Sequence, residues 1–126
     1  LSQNNNKFRI PILSIKLSAL SSIYETGSEQ KVAKDLTNKL MNLCLLAKKC
    51  GIGITIDAEK SAQTLLNLTI LKNVFTHSSL RNWNGLGIAV QAYQKRSPLI
   101  IMWLSQLAKK YNKILNIRLV KGAYWD

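Results

Sequence analysis

Apolar and polar residues alternate along four short stretches of the chain. From Ile12 to Leu20, Ile15, Leu17 and Ala19 share one parity and Ser14, Lys16 and Ser18 the other, the period-two pattern of a strand with one buried face. Gly51 to Asp57 repeats it, with Ile52, Ile54 and Ile56 against Gly53, Thr55 and Asp57. Gly87 to Tyr93 sets Ile88 and Val90 against Gly87, Ala89 and Gln91, and a buried strand is predicted around Ile117, Leu119 and Val120, with Arg118 among them. Between these stretches the period changes to that of a helix. Thr26 and Glu29 make a capping signal before Val32, Leu36, Leu40, Leu43 and Ala47, and Gly51 stops that helix after Lys48 and Lys49. Glu59 to Phe75 is a second, broadly apolar helix. Ser97 as N-cap and Pro98 as first residue open a third, striped by Ile100, Trp103, Leu104, Leu107 and Tyr111 and closed by Lys109 and Lys110.

Strand and helix therefore alternate, which implies right-handed crossovers and a parallel sheet. In a doubly wound open sheet both faces are covered and both parities should be apolar, whereas in a closed barrel the inner parity can turn polar at the carboxyl ends of the strands. Here the second parity is small or polar and ends in Lys16, Asp57, Gln91 and Arg118. The fold class read from this is α/β, a fragment of a (β/α)8 barrel with four strands and three helices. Residues 1–13 serve as a connector and 14–126 as the N-terminal half of the barrel, because a complete one needs about 250 residues.

Arg118 carries the first chemical inference, since a guanidinium in a buried strand costs several kcal/mol unless an acceptor or anion meets it. Gly122 and Ala123 then allow close backbone approach to a ligand, and Tyr124, Trp125 and Asp126 add two aromatics and a carboxylate. Each group also has a plainer reading. Arg118 and Asp57 can be a structural ion pair, Lys16 a snorkelling edge lysine, Gln91 a satisfier of backbone groups, and Tyr124 and Trp125 core aromatics. Their placement at successive strand ends favours a site. His77 reads as a solvated loop histidine and Lys95 with Arg96 as a solvated charge pair on the side of the site, within reach of an anion. Gly85 and Gly87 precede a strand and do not form a dinucleotide fingerprint.

Composition changes this picture little. The 126 residues carry a net charge of +12, which raises a basic nucleic-acid-binding module as the alternative function. The cations argue against it, because Lys48, Lys49, Lys109 and Lys110 close helices, where they complement the helix dipole. Cys44 and Cys50 match neither a CxxC pair nor a zinc ligand set and read as free core thiols of a reducing compartment, so no metal is expected. Leu1 to Phe8 lacks an apolar signal region and no apolar run reaches the roughly 20 residues of a membrane span, so a cytoplasmic protein is expected. The chain opens on Leu1 without an initiator Met and reads as a fragment.

Four motifs carry a resemblance. SIKLSAL (Ser14 to Leu20), GITIDAE (Gly53 to Glu59), WNGLGIAVQAYQKR (Trp83 to Arg96) and IRLVKGAYWD (Ile117 to Asp126) together resemble the proline dehydrogenase domain of bifunctional proline utilization A flavoproteins. The resemblance implies an FAD-dependent oxidation of L-proline to pyrroline-5-carboxylate by hydride transfer to flavin N5, with a quinone as electron acceptor. It also implies an aldehyde dehydrogenase domain in the same parent chain and peripheral contact with the inner face of the membrane. By the same resemblance Arg118 lies beside flavin N5, Gln91 bonds the pyrimidine edge, Ala89 packs on the isoalloxazine, and Gly122, Ala123 and Trp125 run along the cofactor. Lys16 meets the substrate carboxylate, Asp57 orders the pocket, and Leu119 and Tyr124 wall the proline ring, so that Lys16, Asp57 and Arg118 form the catalytic set. One departure is local: the family continues SAL with His-Pro-Arg-Tyr, whereas Ser21, Ser22 and Ile23 here precede Tyr24. The arginine pair for the substrate carboxylate and much of the FAD phosphate site belong to later strands, so these residues alone are expected to be inactive.

Overall fold

The computed structural model describes residues 10–24 and 26–121. Its elements in order are β1 (Ile12–Ile15), α1 (Glu29–Cys50), β2 (Gly53–Ile56), α2 (Thr64–Phe75), β3 (Leu86–Gln91), α3 (Ser97–Lys110) and β4 (Asn116–Val120), with short 3-10 turns at Leu17–Ala19, Ser61–Gln63 and Ser78–Leu80. The strands form one sheet in the order β1-β2-β3-β4, all neighbours parallel. Sequential parallel neighbours joined by helices are the repeating unit of a β/α barrel wall, as the alternation of periods predicted.

The register stacks the helix-facing parity as Ile15, Ile56, Ile88 and Ile117 across the four strands. Onto this row pack α1 through Val32, Leu36, Leu40, Cys44 and Ala47, α2 through Ile70, Leu71, Val74 and Phe75, and α3 through Ile100, Leu104 and Leu107. Each fully buried large side chain of this set contributes about 1.5–3 kcal/mol of transfer free energy. The opposite parity stacks Ser14, Thr55, Gly87 and Asn116. Gly87 is required by its neighbour strand, since a Cβ there would lie 2.7 Å from the Asn116 carbonyl oxygen.

Several boundaries differ from the pattern, each for a local reason. The first strand ends at Ile15, not Leu20, because the chain turns so that Leu17 enters the core completely. Ser28 rather than Thr26 caps α1, accepting from the Lys31 N–H at 3.3 Å. Cys44 takes the buried seat expected for Leu43, which is only half-buried. Gly51 does stop α1, at φ 73°, a left-handed conformation that glycine adopts without a Cβ penalty. The second helix begins at Thr64 instead of Glu59, and Ser97 is the first residue of α3 rather than its cap, its hydroxyl donating to the Gln91 carbonyl. Trp103 and Tyr111 are more than a third exposed. Cys50, expected as a core thiol, is exposed at the end of α1.

Strands β2 and β3 are wholly buried, but β1 and β4 are the sheet's edges and lie open. The buried fourth strand of the sequence reading is therefore half-exposed here, with Leu119 58% accessible and Ile12 57% on the other edge. Lys113, in the lead-in to β4, ties that edge down: its Nζ donates to the Phe75 carbonyl at 2.7 Å and sits 4.2 Å from the Phe75 ring centroid. Burial pushes the Lys113 pKa down, partly offset by the nearby Cys44 and, to a lesser extent than either, reinforced by Lys48. Lys48 is likewise spent on a carbonyl, that of Ser79 at 3.1 Å.

Candidate active site

The carboxyl ends of the strands bring the polar residues together. Asp57 directly follows β2 and its N–H donates to the Ile15 carbonyl at 2.7 Å, which sets Lys16 beside Asp57 in the same row. Extending the pairing of Ile56 with Ile88 by one residue puts Ala89 next in that row, and Ala89 pairs with Arg118. Lys16, Asp57, Ala89 and Arg118 thus form one layer on the face away from the helices.

Across this layer Arg118 Nη2 donates to Asp57 Oδ1 at 3.2 Å. The two strands that carry them are next-but-one neighbours, about 10 Å apart at the usual strand spacing, and only a side chain as long as arginine closes that gap. Ala89 permits it, because its methyl group leaves the space above β3 free for the guanidinium. The pair remains solvated, with side chains 55% and 28% accessible for Arg118 and Asp57. The ion-pair reading of Arg118 is therefore correct as geometry; the open guanidinium also leaves donors for a ligand. Lys16 is exposed on the same side.

Gln91 occupies the layer above, and here the structure adds what sequence reasoning missed. Gln91 is 4% exposed, and its Nε2 donates to the Glu59 carbonyl at 3.2 Å while its Oε1 accepts from Gln94 Nε2 at 2.6 Å. The Glu59 carboxylate accepts from the Ser18 N–H at 3.2 Å and from the Ser18 hydroxyl. Glu59 therefore ties together the ends of β1, β2 and β3. Arg96, read earlier as half of a solvated pair, is half-buried, donating through Nε to Gln94 Oε1 at 3.2 Å and through Nη2 to the Ser61 carbonyl; Lys95 is exposed. The only advance signal was that Glu59 and Gln94 lie inside the motifs that contain Asp57 and Gln91. A crevice of about 30 Å³ lies among Asp57, Glu59, Ala89, Gln91 and Gln94, room for roughly one water, so a larger ligand must lie on the open face of the layer.

Of the remaining predicted residues, Leu119 pairs with Val90 and so stands on the parity opposite to Arg118; its place in a substrate pocket rests on resemblance, not on register. Gly122, Ala123, Tyr124 and Trp125 lie outside the described residues. His77 is exposed and its Nδ1 accepts from the Ser79 N–H at 3.1 Å. Among the described residues no cluster of three or more His, Cys, Asp or Glu could hold a metal, and no helix is long and apolar enough to cross a membrane.

A parallel β/α sheet whose sequential strands are neighbours, with polar and charged side chains at the strand ends, is the wall of a β/α barrel. Comparison with known proteins narrows the class. The family described as proline dehydrogenase matches residues 2–126. Bifunctional protein PutA of Escherichia coli strain K12 is 47% identical over 116 residues, covering 92% of this chain and 9% of that protein, and the protein of the same name from Rhizobium meliloti is 41% identical over 116 residues. A solved structure of proline utilization A with proline bound in remote sites superposes with a TM-score of 0.86 at 40% identity, covering 92% of this chain and 12% of that one. Proline utilization A from Bdellovibrio bacteriovorus, inactivated by N-propargylglycine, superposes with a TM-score of 0.84 at 29% identity, covering 90% and 12%. The chain belongs to the proline dehydrogenase family, and it spans about a tenth of the length of these relatives.

Proposed function

We propose that this chain is the first half of an FAD-dependent proline dehydrogenase barrel within a longer bifunctional protein that oxidises L-proline to glutamate. The observation that carries the reading is the Asp57–Arg118 pair closing over Ala89 beside an anchored Gln91. A flat ring system needs a shallow floor and donors at its rim, and Ala89 with Arg118 and Gln91 offers both, so these residues fit an isoalloxazine. When bound, FAD supplies the hydride acceptor for oxidation of proline to pyrroline-5-carboxylate.

The residues then divide the work. Arg118 holds a permanent cation at the ring's edge and favours the electron-rich, reduced flavin. Asp57 keeps that guanidinium aimed across β3 and adds a carboxylate to order the substrate's polar groups. Lys16, in the same layer, meets the substrate carboxylate, and Gln91 turns its remaining N–H toward the pyrimidine edge. The exposed apolar edges of β1 and β4 agree with further strands closing the barrel, since parallel sheets are ordinarily covered. A quinone acceptor, a fused aldehyde dehydrogenase domain for the semialdehyde product and peripheral membrane contact follow from the kinship of the chain alone.

The test is spectroscopic. The full-length protein should show a flavin band that bleaches on anaerobic addition of L-proline, and Arg118→Met should slow the bleaching at least 100-fold. A protein that takes up no FAD would overturn the reading; normal bleaching in the Arg118→Met variant would overturn the role of Arg118.

A further inference from the structure

The hydrogen-bond chain that holds Gln91 has a direction. It runs from Arg96 Nε to Gln94 Oε1 at 3.2 Å, from Gln94 Nε2 to Gln91 Oε1 at 2.6 Å, and from Gln91 Nε2 to the Glu59 carbonyl at 3.2 Å. A guanidinium only donates and a main-chain carbonyl only accepts. Both amides between them are therefore oriented without ambiguity, because flipping one sets donor against donor or acceptor against acceptor. Arg96 itself is pinned by its bond to the Ser61 carbonyl, and the Gln91 main chain by the Ser97 hydroxyl. Gln91 thus spends one N–H and one lone pair internally, and its second N–H is the donor left for a ligand.

We propose that Arg96 and Gln94 are positioning residues that set the polarity of Gln91, so that the site meets a ligand's acceptor, the carbonyl of the flavin pyrimidine edge, with an N–H. Both would act through Gln91. The inference rests on the flavin reading above and adds to it a remote control of the flavin's electronics. Reduction makes the pyrimidine carbonyls more electron-rich and hence better acceptors, so a donor held in place stabilises the reduced form more than the oxidised one.

The full-length protein, loaded with FAD, tests this through its flavin midpoint potential, which does not depend on turnover. Arg96→Met removes the donor-only end of the chain and lets the Gln94 amide rotate. It is expected to weaken binding of reduced relative to oxidised FAD about tenfold, a shift of about 30 mV to more negative potential for a two-electron couple. Arg96→Lys, still a pure donor, should restore most of it. Gln94→Leu breaks the relay without touching Ser61, and should shift the potential in the same direction if Arg96→Met does not fold. An unchanged potential in Arg96→Met or Gln94→Leu, or an equal shift in Arg96→Lys, overturns the relay while leaving the flavin reading intact. Wild-type protein that binds no FAD overturns both.

Discussion

Replacing Asp57 by Asn separates structure from function at the strand-end layer. The variant keeps an oxygen that can accept from Arg118 and removes the charge. At 3.2 Å the Coulomb attraction is about 1.3 kcal/mol in water and about 5 kcal/mol at an effective dielectric constant of 20. With the two side chains 55% and 28% accessible, solvent screening and side-chain entropy reduce the net value toward the 0.2–1 kcal/mol that exposed pairs contribute, roughly. The expected cost in urea unfolding is therefore below about 1 kcal/mol, and smaller still in 1 M salt, where charges are screened within about 3 Å. Flavin reduction by proline in the full-length protein should nevertheless fall by about 100-fold or more, because positioning of the cation and of the substrate is lost. A loss of more than about 3 kcal/mol, typical of breaking a buried pair, would mean that Asp57–Arg118 is a structural strut. Unaltered flavin reduction would refute the functional reading of Asp57.

Three further outcomes follow from the packing and the titrating groups. Gly87→Ala would set a Cβ 2.7 Å from the Asn116 carbonyl oxygen, so β3 and β4 must separate; about 1–3 kcal/mol of lost stability is expected in denaturant, and an unchanged melt would show the strands to be looser than described. Burial pushes the Cys44 thiol up to about 12, while Cys50 is exposed. Alkylation at pH 8 should therefore label Cys50 in the folded chain and Cys44 only on unfolding, as peptide mapping would show. Hydrogen bonds from Ser21 and then Lys39 hold the Asp35 pKa below its ordinary value of 3.8, with Lys39 Nζ at 3.2 Å. A lowered folded-state pKa means that this contribution is complete above the unfolded value and is lost as pH falls through the folded one. Asp35→Asn should accordingly flatten the acid limb of the stability curve below about pH 4 and leave its alkaline limb unchanged.

Periodicity alone determined the order of strands and helices, the parity that faces the helices and the four strand-end residues Lys16, Asp57, Gln91 and Arg118. These are legible because a strand repeats every two residues and a helix every 3.6, so burial writes itself into the spacing. The motifs carried the family. Tertiary structure decided what depends on residues distant in sequence. Arg118 meets Asp57 because β3 places a methyl group between them. Glu59 leaves the helix predicted for it because Ser18, 41 positions earlier, presents an N–H and a hydroxyl to its carboxylate. The first strand stops at Ile15 because the core has room for Leu17, and β4 lies open where the pattern read as buried because nothing in this sheet pairs its outer edge. Arg96, a surface charge in the sequence, becomes the donor that orients the amides of half-buried Gln94 and buried Gln91, since hydrogen-bond direction is set by which partners three dimensions bring within 3.2 Å and spacing along the chain says nothing of it.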